Sequence, residues 1–136
     1  MTYTPDDAAR LFETGDYAAV VALLQETASS AREHALLGMA LLRGGDLPEA
    51  RTPLLRAAAL GDEEGSVEYG NLLRLLGQLD EACAHFAALV PTLQGAELRL
   101  RALRWWGVSE FQAGRTQEGL ARTERAWHGY VGLGDE

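Results

Sequence analysis

Apolar residues recur along this chain at spacings of three and four, as on helix faces, rather than alternating as on a half-buried strand. Glycine punctuates the pattern. The segments GDYAAV, GDLPEA, GQLDEA and GRTQEG begin at Gly15, Gly45, Gly77 and Gly114, at intervals of 30, 32 and 37 residues. Each lies between two periodic runs, which predicts helices over 5–14, 17–29, 31–44, 47–60, 63–76, 79–90, 95–113 and 116–131. The seventh is the longest, because the interval before Gly114 is extended, and Pro91 and Gly95 break the chain just ahead of it.

Aligned on the turn glycines, the units agree position by position. Seven residues before each Gly stands Ala8, Gly38, Gly70 or Gly107, and five after it Val20, Ala50, Ala82 or Gly119. Nine after it comes Leu24, Leu54, Phe86 or Thr123. A Gly ending the first helix supplies a left-handed cap, and Asp or Pro soon after starts the next helix. Small residues on facing sides, such as Gly38 against Ala50, let two antiparallel helices approach closely, and larger ones such as Leu41 and Leu54 fill the space around the crossing. Gly38, Ala50, Gly70, Ala82 and Gly107 are therefore the candidate helix-crossing residues. One such hairpin cannot bury its own apolar faces and must pack on neighbours.

The segment ALLGMALLRGGDLPEARTPLLRAA resembles a tetratricopeptide repeat: a small residue, a large one three on, a Gly-Asp turn, Ala, then large and Ala. The second and third units match well, the first moderately and the fourth weakly. In the fourth, Glu110 stands where a large residue is expected, with Phe111 next to it, and Gly119 and Thr123 replace the expected Ala and aromatic. The stretch RAAALGDEEGSVEYGNLL also resembles the related Sel-type repeats. The resemblance covers nearly the whole chain. It implies an all-α fold, a right-handed α-solenoid of about four tetratricopeptide-type helix–turn–helix repeats, forming one domain over 1–136. The closing WHGYVGLGDE is open to two readings: Trp127, Tyr130 and Val131 cap the array, or the Leu-Gly-Asp is a hinge into a further repeat of a longer protein.

Composition narrows the function. At 47% apolar and 24% charged, with Ala and Leu outweighing Val, Ile and Thr, the chain is globular and helix-favouring. Its net charge is −8, and all 12 cationic residues are Arg. That balance argues against a nucleic-acid binder, which needs a basic surface to neutralise phosphates. The acidic start MTYTPDDAARLFETGD is no secretory signal, and no stretch approaches a membrane span, so a cytoplasmic protein without membrane contact is expected. Cys83 is the only cysteine, which rules out an internal disulfide and a cysteine-based zinc site and leaves it as a small buried residue. His34, His85 and His128 fall in different repeats without metal-ligand spacing. The doublets Glu63–Glu64 and Asp80–Glu81 fall in first turns of helices, where carboxylates favour the positive end of the dipole. There is no GxGxxG, and without Lys no P-loop. Neither catalytic residues, a metal site nor a cofactor are expected.

Binding is the better-supported class. In tetratricopeptide proteins the first helix of each repeat lines a concave groove that holds an extended peptide or a helix. Carried over by spacing, the lining stripe offers Arg32, Ala35, Met39 and Leu42, then Glu64, Val67, Asn71 and Arg74, then Arg101, Arg104, Val108 and Phe111, with Arg43 and Trp105 beside it. The implied groove is thus Arg32, Met39, Arg43, Asn71, Arg74, Arg101, Arg104, Trp105 and Phe111. Guanidinium forks pair bidentately with carboxylates, Asn71 can bond a peptide backbone, and Trp105, Phe111 and Met39 can seat apolar anchors. The expected partner is a protein or peptide, in particular an acidic or C-terminal carboxylate-bearing segment. The family's carboxylate clamp is not reproduced residue for residue, since it relies partly on Lys. In the competing reading the arginines merely pair with Glu64, Glu68 and Glu97. Two other functions fit the pattern: a homodimerisation module using the face around Trp127, Tyr130 and Val131, or a sensory or regulatory segment of a larger bacterial transcriptional regulator or signalling protein.

Overall fold

A computed structural model describes residues 3–134, and of residues 5, 133 and 134 only the backbone. Among these residues there are eight α-helices and no strand: α1 Ala8–Glu13, α2 Tyr17–Leu24, α3 Ala31–Arg43, α4 Leu47–Ala59, α5 Glu63–Leu75, α6 Leu79–Leu89, α7 Ala96–Gln112 and α8 Thr116–Gly134. Single 3-10 turns precede α1 at Pro5–Asp7 and follow α6 at Val90–Thr92.

The helices stop where the sequence places left-handed residues. Gly15, Gly45, Gly77 and Gly114 have φ of 85, 86, 80 and 91°, a conformation that glycine adopts without steric cost. At Gly45 its N–H donates to the Leu42 carbonyl at 3.2 Å and the Asp46 N–H to the Leu41 carbonyl at 2.9 Å, so the last carbonyls of α3 are satisfied. Gly61, at φ 93°, closes α4 in the same way, a fifth use of the device that the repeat alignment does not show.

Three boundaries differ from expectation by three residues or more, one being α8, which runs on to Gly134 rather than ending at 131. The predicted helix over 17–29 ends at Leu24, because the Thr27 hydroxyl turns back onto the Leu23 carbonyl at 2.6 Å and Ser30, with ψ 162°, already caps α3. Ser30 accepts from the Glu33 N–H at 3.1 Å, and the Glu33 carboxylate accepts from the Ser30 and Ser29 N–H groups, both at 3.1 Å. These backbone bonds hold the Glu33 carboxyl below its ordinary pKa. The predicted helix over 5–14 starts as a 3-10 turn, with the Asp7 carboxylate accepting the Thr4 N–H at 2.8 Å.

Chain contacts divide into two units, Met1–Leu72 and Leu73–Glu136. In the first, α3 packs against α1, α2 and α4. Its core includes Val20, Leu24, Ala35, Met39, Leu54 and Val67, all fully buried. In the second, α7 packs against α6 and α8 around Phe86, Ala102, Leu103 and Ala126.

The proposed small crossing residues, Gly38, Ala50, Gly70, Ala82 and Gly107, are all buried. Gly38 does not face Ala50 as its nearest neighbour, however. A Cβ at Gly38 would lie 2.5 Å from Leu54 Cγ and 3.0 Å from the Leu54 backbone nitrogen. One turn further along α4, Leu54 fills the space that the missing side chain leaves. At Gly107 and Gly119 backbone meets backbone from both sides. A Cβ at Gly107 would lie 2.9 Å from the Gly119 carbonyl oxygen, and one at Gly119 2.7 Å from the Gly107 oxygen. Gly119, a departure from the repeat pattern, is thus the counterpart that lets α8 touch the α7 backbone.

Ser30→Ala should lower stability by about 0.5–2 kcal/mol, read from thermal melts. Because Glu33 has a depressed folded pKa, its contribution is complete above the unfolded pKa of about 4.3 and fades as pH falls through the folded value, so Glu33→Gln should cost stability at neutral pH and progressively less in acid. Alanine in place of a helix glycine ordinarily gains about 0.5–1 kcal/mol. Gly107→Ala should instead destabilise by about 1–3 kcal/mol, since backbone atoms cannot yield, and cost more than Gly38→Ala, where the Leu54 side chain can turn away. A raised melting temperature for Gly107→Ala would contradict the crossing geometry.

Candidate functional site

In the second unit α7 presents Arg101, Arg104, Trp105 and Phe111, and the end of α5 adds Arg74. The guanidinium carbons of Arg74 and Arg104 each lie 4.5 Å from the centroid of the Trp105 ring. The negative face of the indole π-system attracts both cations and offsets their mutual repulsion. Burial, with the Arg104 charge adding to it, lowers the Arg74 pKa from its ordinary value. Arg74 also donates to Gln112 Oε1 at 3.3 Å. Arg101 pairs with Glu97 one turn earlier at 3.5 Å. No carboxylate of the described residues pairs with Arg104. Phe111 is 52% exposed. Tyr130 on α8 adds its phenol, whose pKa is raised by burial while the Arg104 and Arg101 charges act against that rise. Sequence spacing did not find Tyr130 here, because its neighbours are set by how α8 lies on α7. A Cβ on the adjacent Gly129 would collide with Leu100 of α7.

In the first unit the other predicted lining residues are differently placed. Arg32 donates to Asp62 Oδ2 at 3.2 Å and to Glu64 Oε1 at 2.8 Å. Arg43 pairs with Glu68 at 3.5 Å and lies 5.4 Å from the Phe12 ring centroid. Glu64, Glu68 and Glu97 are therefore all arginine partners. Asn71 is buried. Met39 is fully buried, contrary to its expected role as an anchor. The reason is that α3 is enclosed by α1, α2 and α4, with Gly65 of α5 also against Ala35, so every residue from His34 to Ala40 is buried.

Glu110, the misfit of the fourth repeat, is a buried carboxylate that ties the C-terminal hairpin together. It accepts from Trp106 Nε1 at 3.1 Å and Arg122 at 3.1 Å, and from Arg115 Nε in a very short contact. Arg122 lies 3.9 Å from the Trp106 ring centroid. Arg115 also reaches Asp80 at 3.2 Å and donates to Cys83 Sγ at 3.3 Å. Its pKa is raised, chiefly by the bond to Glu110. Burial pushes the Cys83 thiol up despite Arg115, which keeps it protonated and a poor nucleophile. Charge at a position normally apolar, with Trp four residues before it and Arg five after it, was the available signal.

The histidines stay apart: His34 is buried, His85 meets Phe86 edge-on, and His128 meets Trp127. Among the described residues no three His, Cys, Asp or Glu side chains gather as a metal site, and no helix is long and apolar enough to cross a membrane.

Paired antiparallel helices, recurring glycine-closed turns and small-residue crossings define the tetratricopeptide-repeat fold. No protein-family model and no curated protein matches the sequence. Among solved structures the chain is similar to YrrB, a TPR protein with an unusual peptide-binding site, at TM-score 0.71 and 23% identity over 88% of this chain. It spans 62% of the YrrB chain, and the likeness is one of fold.

Glu110→Gln keeps the shape but removes the charge that Arg115 and Arg122 share. It should destabilise the α7–α8 hairpin by about 1–3 kcal/mol and speed amide exchange there selectively. Exchange in α7 and α8 unchanged from the parent would refute this role.

Proposed function

We propose that this chain acts by binding, not catalysis, as a protein–protein interaction scaffold whose first-helix stripe takes an acidic or C-terminal carboxylate-bearing segment. One observation carries the reading: two guanidiniums over Trp105, one of them without an acidic partner among the described residues, with an exposed Phe111 further along the same helix. Cations beside an exposed aromatic suit a carboxylate next to an apolar residue. The pair of Arg101 with Glu97 lowers the charge on offer there, but Glu97 is mostly exposed and such a pair is worth little, so an incoming carboxylate can exchange for it. The peptide-binding site named for YrrB, a protein of the same fold, fits this class of function.

A second reading rests on α8, where Leu120, Trp127 and Val131 are all exposed and fall on one helical face at i, i+7 and i+11. That stripe would support self-association, which light scattering on the chain and on Trp127→Asp can detect. Either surface also suits a regulatory segment of a larger protein.

Titration with a labelled acidic peptide ending in Phe-Asp-Asp should show binding that Arg101→Glu/Arg104→Glu weakens about tenfold or more, with helicity unchanged. Equal affinity of parent and variant would remove the acidic-segment reading.

A further inference from the structure

We propose that the face of the first unit built from α2, α3 and α4 is a second docking site, for a peptide segment carrying a basic side chain beside an aliphatic one. It shares no residue with the arginine and tryptophan cluster and has the opposite chemistry.

A cavity of about 890 Å³ opens between α2 with the loop after it, the middle of α3 and the first half of α4. Its charged lining is Glu26, Asp46 and Glu49 against Arg56. Among the described residues none of these four side chains forms an ion pair or hydrogen bond. In an acidic chain where so many arginines are paired, three uncommitted carboxylates round one concavity are an unfilled site for a cation. The loop and helix starts hold two of them at the cavity without a neutralising neighbour: Asp46 is the N-cap of α4 but makes no side-chain cap bond, and Glu49 lies in its first turn.

Two further unpaired polar groups belong to residues that line the cavity. Pro53, buried inside α4 and part of the lining, has no N–H, so the Glu49 carbonyl one turn earlier lacks its intrahelical donor. His34 also lines the cavity. It is 8% exposed, and its Nδ1 is the buried side-chain nitrogen or oxygen without a hydrogen-bond partner among the described residues. Buried polar atoms are almost always paired, so an orphaned ring nitrogen at a cavity wall marks a missing partner.

A bare cation does not account for the rest of the surface. A second crevice of about 390 Å³ continues from the cavity, sharing Val21, Gln25, Leu41 and Asp46, and is otherwise lined by Ala18, Ala22 and Ala40 among others. Small aliphatic walls beside an acidic cavity suit a leucine-sized side chain two residues from a lysine or arginine on one extended segment, because alternate residues of an extended chain face the same way and reach adjacent pockets.

The test titrates the full chain against a fluorescein-labelled Arg-Ser-Leu-Ser-Arg-Ser-Leu peptide, which places arginine and leucine on one face when extended, with Glu-Ser-Leu-Ser-Glu-Ser-Leu as comparison. Binding of the arginine peptide should weaken about tenfold or more in Glu26→Gln/Glu49→Gln. Glu118→Gln/Glu124→Gln removes the same charge from α8 and should leave it within about twofold. Saturation should also shift the ring nitrogen resonances of His34. The proposal is overturned by absence of binding, by equal weakening in both variants (attraction to net charge alone), or by His34 resonances that stay in place at saturation. Failure here leaves the reading of the Trp105 cluster untouched, since that rests on an acidic peptide and on Arg101 and Arg104.

Discussion

Everything in this molecule follows from how near two helix backbones come at positions that lack a side chain. At Gly107 and Gly119 the carbonyl of one helix occupies the volume where the other's Cβ would stand, and at Gly38 the Leu54 side chain fills that volume instead. The separation of a helix pair decides which residues of each face inward. A closer crossing also turns larger residues at the flanks, such as Trp106 and Arg122, into neighbours. The turn glycines serve the same end, since a left-handed residue lets the chain reverse within a few residues and keeps consecutive helices antiparallel.

Charge is then distributed by that packing. An acidic chain whose only cations are arginines can place its guanidiniums against carboxylates or against aromatic rings, and both occur. Arg32 and Arg43 join elements of the first unit through Asp62, Glu64 and Glu68. Arg115 and Arg122 converge on Glu110, where a buried carboxylate replaces the large apolar residue expected in the fourth repeat. A charge there is tolerable because it meets two guanidiniums and an indole N–H, so that little of its hydrogen-bonding capacity is left unmet. Arg104 instead lies over the Trp105 ring without an acidic partner among the described residues. A cation held by a π-face keeps its N–H donors available to a carboxylate, unlike one already engaged by an acid. The proposed recognition of acidic segments rests on that difference.

The two surfaces proposed for binding differ in what makes them unfilled. Round Trp105 the imbalance is in donors: the Arg104 guanidinium over the indole has no acidic partner among the described residues. Between α2, α3 and α4 it is in carboxylates without partners, a helix carbonyl freed by Pro53, and the orphaned Nδ1 of His34. Each imbalance selects a partner of opposite chemistry.

Much of the fold was legible in the residues themselves. Helical periodicity, the glycine of each turn and the cap at Ser30 act within one turn of chain, so neighbours in sequence suffice to determine them. The candidate helix-crossing positions could likewise be read, because smallness at a fixed spacing is a property of sequence. What faces them could not: Gly38 meets Leu54 rather than Ala50. The candidate site was legible only in outline. Arg104, Trp105 and Phe111 lie on one helix, whereas Met39, on the corresponding stripe of the second repeat, is sealed in because α3 is packed on several sides. Tyr130 beside the arginines, the hub at Glu110 and the cavity at His34 each join residues from different helices. Local pattern therefore determined the helices and their turns, while exposure, ion-pair partners and cavities were decided in the tertiary structure, because each depends on distances between segments far apart along the chain.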